Sequence, residues 1–334
     1  MPHSLPQDML TVSQPGPGEV LGTQRVPLPK PGRGEVLIRM AASPINPSDL
    51  AFLAGNYGVK KAYPVVPGFE GSGTVVAAGA GILPRLWLGR RVACASDNRG
   101  LGTWAEYMVT TATRCVPLQS SVTDEQGAMM LVNPLTALAF FDQLKQKGVK
   151  GVIANAGASA LGRMIIRLGR ARGVAVISVV RKAAQIEELQ ALGATATLDS
   201  RAADFLSQLS ALSQQHQARI LLDAVAGPLT AEIMAAMPTG AEAWVYGNLS
   251  GQEIPLPSSR LIFEGKRVQG FWLSQVLANK PFWKAFLDTR RVQALVSSAL
   301  ETQVQGRFPL EEAQAAVALY TSNMSGGKAL MVPR

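Results

Sequence analysis

Residues 151–182, GVIANAGASALGRMIIRLGRARGVAVISVVRK, constrain the chain more than any other stretch. GVIAN is a short β-rich run. Gly157, Ser159 and Gly162 then take the three marked positions of a G-x-G-x-x-G turn, with Ala158, Ala160 and Leu161 between them and serine in place of the second glycine. A helix is expected from about Leu161, with Leu161, Ile165 and Leu168 on one face and Arg163, Arg167 and Arg170 on another. The strand VAVISVV follows. Such a βαβ unit aims free backbone N–H groups and the positive end of a helix dipole at a pyrophosphate. An incomplete glycine signature by itself equally describes a turn with no ligand, and here it is the strand before, the helix after and the second strand that favour a dinucleotide.

The ribose-reading position lies at the end of the second strand, and there the chain has Arg181 and Lys182 rather than an acid. A carboxylate would accept from a free 2′-hydroxyl, whereas a cationic pair suits a 2′-phosphate, so NADPH is the expected cofactor. The plainer alternative is a solvated pair at a strand end.

A length of 334 residues suggests about two domains, and 47% hydrophobic residues suffice for full cores. The formal charge of +9 invites a nucleic-acid reading, but no run of bases exceeds two, and only five Trp and five Tyr accompany them. The excess also suits a polyanionic small molecule, so no dedicated nucleic-acid partner is expected. Cys94 and Cys115 are the only cysteines, too few for a disulfide framework or a thiolate cluster, which points to a reducing compartment. His3 and His216 are the only histidines, so histidine triads and multi-histidine metal sites are not expected. With no long apolar run and no signal or transit character at the start, a soluble, cytoplasmic protein without a membrane partner is expected.

Residues 1–120 read as short strands, among them EVLIRMAAS, GSGTVVAAG, RRVACAS and TWAEYMVT, punctuated by Gly, Pro and Asn. From Thr123 the pattern changes: Thr123 and Gln126 have the form of a capping box, and Pro134 begins a second helix just after Asn133. Strands and helices then alternate to about residue 272, with about six strands, which implies a parallel, doubly wound sheet. A helix, a strand, a helix and a final strand close the chain. The simplest organisation is an α/β domain over 124–272 inserted between two pieces of a β-rich domain, 1–123 and 273–334.

That organisation resembles the medium-chain dehydrogenase/reductase superfamily, a GroES-like catalytic domain with a Rossmann domain. Zinc-using members carry a Cys in the loop corresponding to SPINPSD and a His in a G-H-E turn. Here the loop has no Cys, Phe69 replaces the His in Gly68-Phe69-Glu70, and the four-cysteine lobe is missing. A zinc site would lack its ligands, so no metal is expected. Five segments are similar to the zinc-free trans-2-enoyl-thioester (enoyl-CoA/ACP) reductases: SPINPSDLAFLAGNYG, VNPLTA, GASALG with ISVVRK, GFWLSQ and SGGKALM.

The resemblance implies an NADPH-dependent reductase of activated C=C bonds, with the quinone and alkenal reductases of the same fold as the nearest alternative. A non-catalytic NADPH-binding or RNA-binding protein is the alternative of another class. The family's catalytic Tyr matches Tyr57. On residue type alone Tyr57 also fits an ordinary turn tyrosine, and Tyr63 is its rival. Asn46 and Ser48 would shape the substrate cleft, while Asp49 caps a helix. By position, Asn133 would face the nicotinamide, as would Tyr246, Gly247, Asn248 and Leu249. Phe271, Trp272 and Leu273 would border nicotinamide and acyl chain, with Trp272 also in the substrate cleft, and Lys328 would reach the cofactor. Phe271 and Trp272 equally suit a core, and Lys328 a solvated surface. The family also implies a homodimer, with VQGFWL as a pairing edge. The chain departs from these reductases in the turn GFEG, where an Asn-containing turn is usual and Phe69 has no amide to orient cofactor or substrate, and in Arg181-Lys182-Ala183, which keeps only the first of the two arginines common there.

Overall fold

A computed structural model describes residues 5–97 and 100–334, so His3 lies outside the described residues. The chain divides into two compact units, 1–132 with 289–296 and 302–334, and 133–288 with 297–301.

The first unit opens with β1 (Asp8–Ser13) and β2 (Gly22–Pro27), an antiparallel pair. There follow β3 (Glu35–Pro44), α1 (Pro47–Leu53), β4 (Glu70–Ala78), α2 (Ile82–Trp87), β5 (Arg91–Ala95), β6 (Tyr107–Thr111), β7 (Cys115–Pro117) and α3 (Asp124–Ala128). The apolar run of β3 makes it the hub of this sheet, because it can be buried on both faces and pairs antiparallel with β4 and β6. Val36, Ile38, Val75, Val92 and Met108 form one core beneath it. Cys94 and Cys115 lie directly opposite each other on β5 and β7, both free and buried. Burial pushes both thiols up, Cys115 to about 12.

The second unit runs α4 (Asn133–Gln146), β8 (Gly151–Ala154), α5 (Ala160–Arg172), β9 (Ala175–Val180), α6 (Ile186–Leu192), β10 (Ala196–Asp199), α7 (Phe205–Gln215), β11 (Ala218–Asp223), α8 (Gly227–Ala236), β12 (Glu242–Val245), α9 (Ser258–Ile262), β13 (Arg267–Gly270), α10 (Leu273–Ala278) and the first half of α11 (Phe282–Leu295), whose residues from 289 on count with the first unit. Its six strands are all parallel, in the order β10-β9-β8-β11-β12-β13. Ile153, Ile177, Leu221 and Ala243 fill the strand layer of the core, and Leu209, Ile233 and Met234 pack on it from the helices. The chain ends in β14 (Val304–Phe308), α12 (Ala313–Ser322) and β15 (Lys328–Met331), with β15 pairing β3 in the first unit.

Contacts divide the chain later than the pattern change at Thr123. Thr123 and Gln126 do exchange capping-box hydrogen bonds of 3.0 and 3.2 Å. The first unit nonetheless extends to Val132, because the buried Glu70 carboxylate takes the N–H groups of Leu131 and Val132. Residues 273–288 belong to the second unit, where α10 packs on α4. Arg163, expected on a polar face, is 8% exposed: it pairs with Glu188 and donates to the Ala158 carbonyl at 3.1 Å. No helix among the described residues is long and apolar enough to cross a membrane.

Candidate functional site

Because the six strands of the second unit are parallel, their C-terminal ends share one edge. The strand order reverses between β8 and β11, which opens the crevice where ligands of such sheets bind. Gly157 to Gly162 link β8 to α5 there. Arg181 and Lys182 directly follow β9, and Tyr246, Gly247, Asn248 and Leu249 follow β12. Phe271, Trp272 and Leu273 follow β13. Asn133 begins α4, which runs opposite to β8 and so starts at this same edge.

The glycine turn fits a pyrophosphate. A Cβ on Gly157 would strike Ser178, and one on Gly162 would strike the carbonyl oxygens of Gly157 and Ala156, so both positions demand glycine. Ser159 caps α5, accepting from Gly162 N–H at 3.1 Å, which leaves its hydroxyl proton to donate. The N–H groups of Ala160 and Leu161 stand outside the helical ladder at the positive end of a 13-residue helix. Arg181 and Lys182 are exposed, and their side chains have no partner among the described residues. The Tyr246 hydroxyl is enclosed with no hydrogen-bond partner, and burial raises its pKa.

Two residues that motif reading missed hold this edge. Asn155, fully buried after β8, donates to Asp223 Oδ1 at 2.5 Å and accepts from Ala224 N–H at 2.7 Å. Asp223, at the end of β11, also accepts from Val225, Ala226 and Thr230. Their signal in the sequence is a polar residue closing an apolar strand, GVIAN and RILLD. Phe271 is 8% exposed with its ring 4.4 Å from Phe140, which makes it core in this unit, whereas Trp272 is 43% exposed.

In the first unit Tyr57 follows α1 in an irregular turn, half-buried. Its ring centroid lies 5.0 Å from that of Phe69, which in turn meets Phe52 edge-on at 5.4 Å. Ser48 has its hydroxyl enclosed and without a partner. Asp49 caps α1 as expected, accepting from Asn46 N–H at 2.8 Å, and it also accepts from Phe69 N–H at 3.1 Å. Burial pushes the Asp49 carboxyl up to about 7 against the lowering effect of these bonds and of Lys328. Tyr63 is 36% exposed and lines a separate hollow with Phe52, Val59, Lys60 and Lys61.

Asn46 and Lys328 are placed differently from expectation. Asn46 is fully buried: its amide donates to Glu70 Oε1 at 2.9 Å and accepts from Lys328, so it lines no cleft. Lys328 is 1% exposed, and its ammonium meets the Ile45 carbonyl at 3.1 Å, the Tyr320 hydroxyl at 3.2 Å and Asn46. With three protons and three acceptors it has none left for a cofactor. Burial pushes the Glu70 carboxyl up, and the bonds from Asn46 and from the Val132 and Leu131 N–H groups, with the charge of Lys328, oppose that.

A zinc ion fits this donor set poorly. Phe69 offers no lone pair, Asp49 and Glu70 are committed to N–H donors, and an ammonium already stands among them. Among the described residues no three His, Cys, Asp or Glu side chains are grouped to hold a metal.

Comparison with known proteins agrees with the architecture. Residues 32–120 match the alcohol dehydrogenase GroES-like domain and residues 160–289 the zinc-binding dehydrogenase family. The mitochondrial enoyl-[acyl-carrier-protein] reductase of Bos taurus is 31% identical over 269 residues, 78% of this chain and 70% of that protein. A Mesorhizobium loti protein provisionally assigned as an NADPH:quinone reductase is 36% identical, with a TM-score of 0.91 over 99% of this chain and 100% of its own. A Bacillus thuringiensis protein with the same provisional assignment is 26% identical, with a TM-score of 0.88 over the same shares. The chain belongs to the medium-chain dehydrogenase/reductase superfamily.

Proposed function

We propose that the chain is an NADPH-dependent reductase of activated C=C bonds whose substrates are trans-2-enoyl thioesters. The observation that carries this reading is the Tyr57 phenol, half-buried in the GNYG turn and backed by Phe69. Reduction of an enoyl thioester needs a hydride at C3, a hydrogen-bond donor for the enolate oxygen that results, and a proton at C2. The carboxyl edge of the parallel sheet would hold NADPH, which when bound would supply the hydride. Ala158, Ser159, Ala160 and Leu161 hold the pyrophosphate, with Gly157 and Gly162 giving the turn its closeness. Arg181 and Lys182 hold the 2′-phosphate, and Asn133 and the residues after β12 flank the nicotinamide. Tyr57 donates a hydrogen bond to the enolate oxygen, directly or through a water or ribose hydroxyl, and solvent water supplies the proton that C2 takes up. No metal takes part. In a substrate screen followed by NADPH oxidation, crotonyl-CoA turnover is expected, and Tyr57→Phe should lower kcat by about 100-fold. Full turnover by that variant would remove Tyr57 from the mechanism.

Quinone reduction is the second reading, favoured by the 36% identity with the Mesorhizobium loti protein over nearly the whole chain. It needs the cofactor edge and an aromatic slot but little from Tyr57. Crotonyl-CoA and a quinone assayed side by side separate the two.

The assembly we propose is a homodimer. β13 is an edge strand paired on one side by β12 and exposed along all four residues, with Val268, Ile262 and Phe263 exposed in and before it. Sedimentation equilibrium tests this, and a monomer at all concentrations would refute it. Two free buried thiols are compatible with a cytoplasmic location, which cell fractionation tests.

A further inference from the structure

We propose that Phe69 is a positioning residue for the Tyr57 hydroxyl: its ring fixes the tilt of the phenol and so how well the hydroxyl stabilises the enolate that hydride transfer forms. This rests on the reading of Tyr57 as the donor. Tyr57 stands in a short irregular stretch between Gly55, at φ +77°, and Gly58, where backbone hydrogen bonding alone does not hold a side chain in one direction. Its ring meets a second ring. Phe69 lies 5.0 Å from it at an interplanar angle of 41°, and Phe69 also rests edge-on at 5.4 Å and 71° against Phe52, which is 4% exposed on α1. Phe69 thus links a core ring to the phenol.

Phe69 is held at the level of its backbone and by the residues on either side of it. Its N–H donates to the fully buried Asp49 carboxylate at 3.1 Å. Gly68 before it has φ +100°, and a Cβ there would strike Thr103 and Trp104. Glu70 after it is pinned by Asn46 and by the N–H groups of Leu131 and Val132 at 2.9 to 3.0 Å. Because the position is fixed in this way, the nature of side chain 69 decides what the phenol leans on. A phenyl supplies a flat ring face for the phenol to lean on.

An aromatic pair of this geometry contributes enough to bias a ring between orientations by a few-fold to about tenfold. The test is steady-state crotonyl-CoA reduction with NADPH by the full chain and its Phe69→Ala, Phe69→Leu, Phe69→Tyr, Tyr57→Phe and Tyr57→Phe/Phe69→Ala variants. Phe69→Ala and Phe69→Leu are expected to lower kcat about fivefold to tenfold with KM within about twofold, and Phe69→Tyr, which keeps the ring, to stay within about twofold of wild type. In the Tyr57→Phe background, Phe69→Ala should cost less than about twofold more, since no hydroxyl remains to be positioned. NADPH Kd in the Phe69 variants should match wild type, which separates positioning from loss of fold, and Phe69→Leu keeps the test open if the alanine variant does not fold. Effects of Tyr57→Phe and Phe69→Ala that simply multiply, or a Phe69→Tyr variant as slow as Phe69→Ala, would overturn the role of Phe69 while leaving Tyr57 as donor. A Tyr57→Phe variant with wild-type kcat would overturn both.

Discussion

Asn46 and Glu70 share a 2.9 Å hydrogen bond at full burial, and the other end of the same amide accepts from Lys328. One carboxamide therefore joins the starts of α1, β4 and β15, segments far apart in the chain. Among the described residues Glu70 and Asp49 place two carboxyls in this interior against the one ammonium of Lys328, and that imbalance governs how the first unit responds to substitution and to pH.

Replacing Lys328 by Met removes a cation whose field reaches the buried Glu70 and Asp49 carboxyls and leaves the Ile45 carbonyl and the Asn46 amide oxygen without their donor. Leaving buried polar groups unpaired costs about 1–3 kcal/mol each, so urea unfolding should show a midpoint lowered accordingly. NADPH Kd, measured on the folded fraction, should change little, because the ammonium is occupied by Ile45, Asn46 and Tyr320. A large loss of cofactor affinity with unchanged stability would restore Lys328 to the cofactor.

The Asp49 carboxyl titrates near 7 in the fold and near 3.8 when unfolded. Between these values the unfolded chain has lost the proton that the folded chain keeps, so ionisation favours unfolding. Stability from this group is complete below about pH 4, falls as pH rises to about 7, and then levels, with a ceiling of about 4 kcal/mol. Urea unfolding across pH 4 to 8 checks it, and Asp49→Asn should flatten that slope while lowering stability at acid pH, because one of its two N–H donors loses an acceptor.

Ser159→Ala should act twice. Losing the cap on Gly162 N–H costs about 1 kcal/mol of stability, and losing the hydroxyl donor should weaken NADPH by several-fold. Thermal unfolding and fluorescence titration read the two effects separately. Ser159→Gly, which tolerates the cap position better, should recover more stability than affinity.

The double variant Arg181→Ala/Lys182→Ala should raise NADPH Kd by about 10- to 100-fold, the worth of charge-assisted contacts to one phosphate. NADH Kd should move by less than about threefold, since it lacks that phosphate. Parallel titrations of the two cofactors decide it, and equal losses would mean that the pair steers polyanions in general.

The parallel sheet and the glycine turn were legible because period and spacing are local: GVIAN, the turn and VAVISVV are contiguous, and the turn's glycines are required by contacts within a few residues or across one neighbouring strand. The capping box at Thr123 was legible for the same reason. Asn46 and Lys328 were not, since an Asn in a Pro-rich loop and a Lys near the C-terminus reveal nothing of a partner more than 280 residues away. The same holds for the first unit's extent, which depends on Glu70 reaching Leu131 and Val132 over some 60 residues. Arg163 misled because helix periodicity places it among arginines, whereas Glu188 on the next helix draws it inward.

The facing pair Cys94 and Cys115 has a practical consequence. Both thiols are enclosed and pushed toward the neutral form, so thiol-directed reagents meet an inert surface while the first unit is closed. Any labelling that does occur counts openings of the β5 and β7 ribbon, and the two cysteines form a native stopwatch for that unit alone, since the second unit contains none.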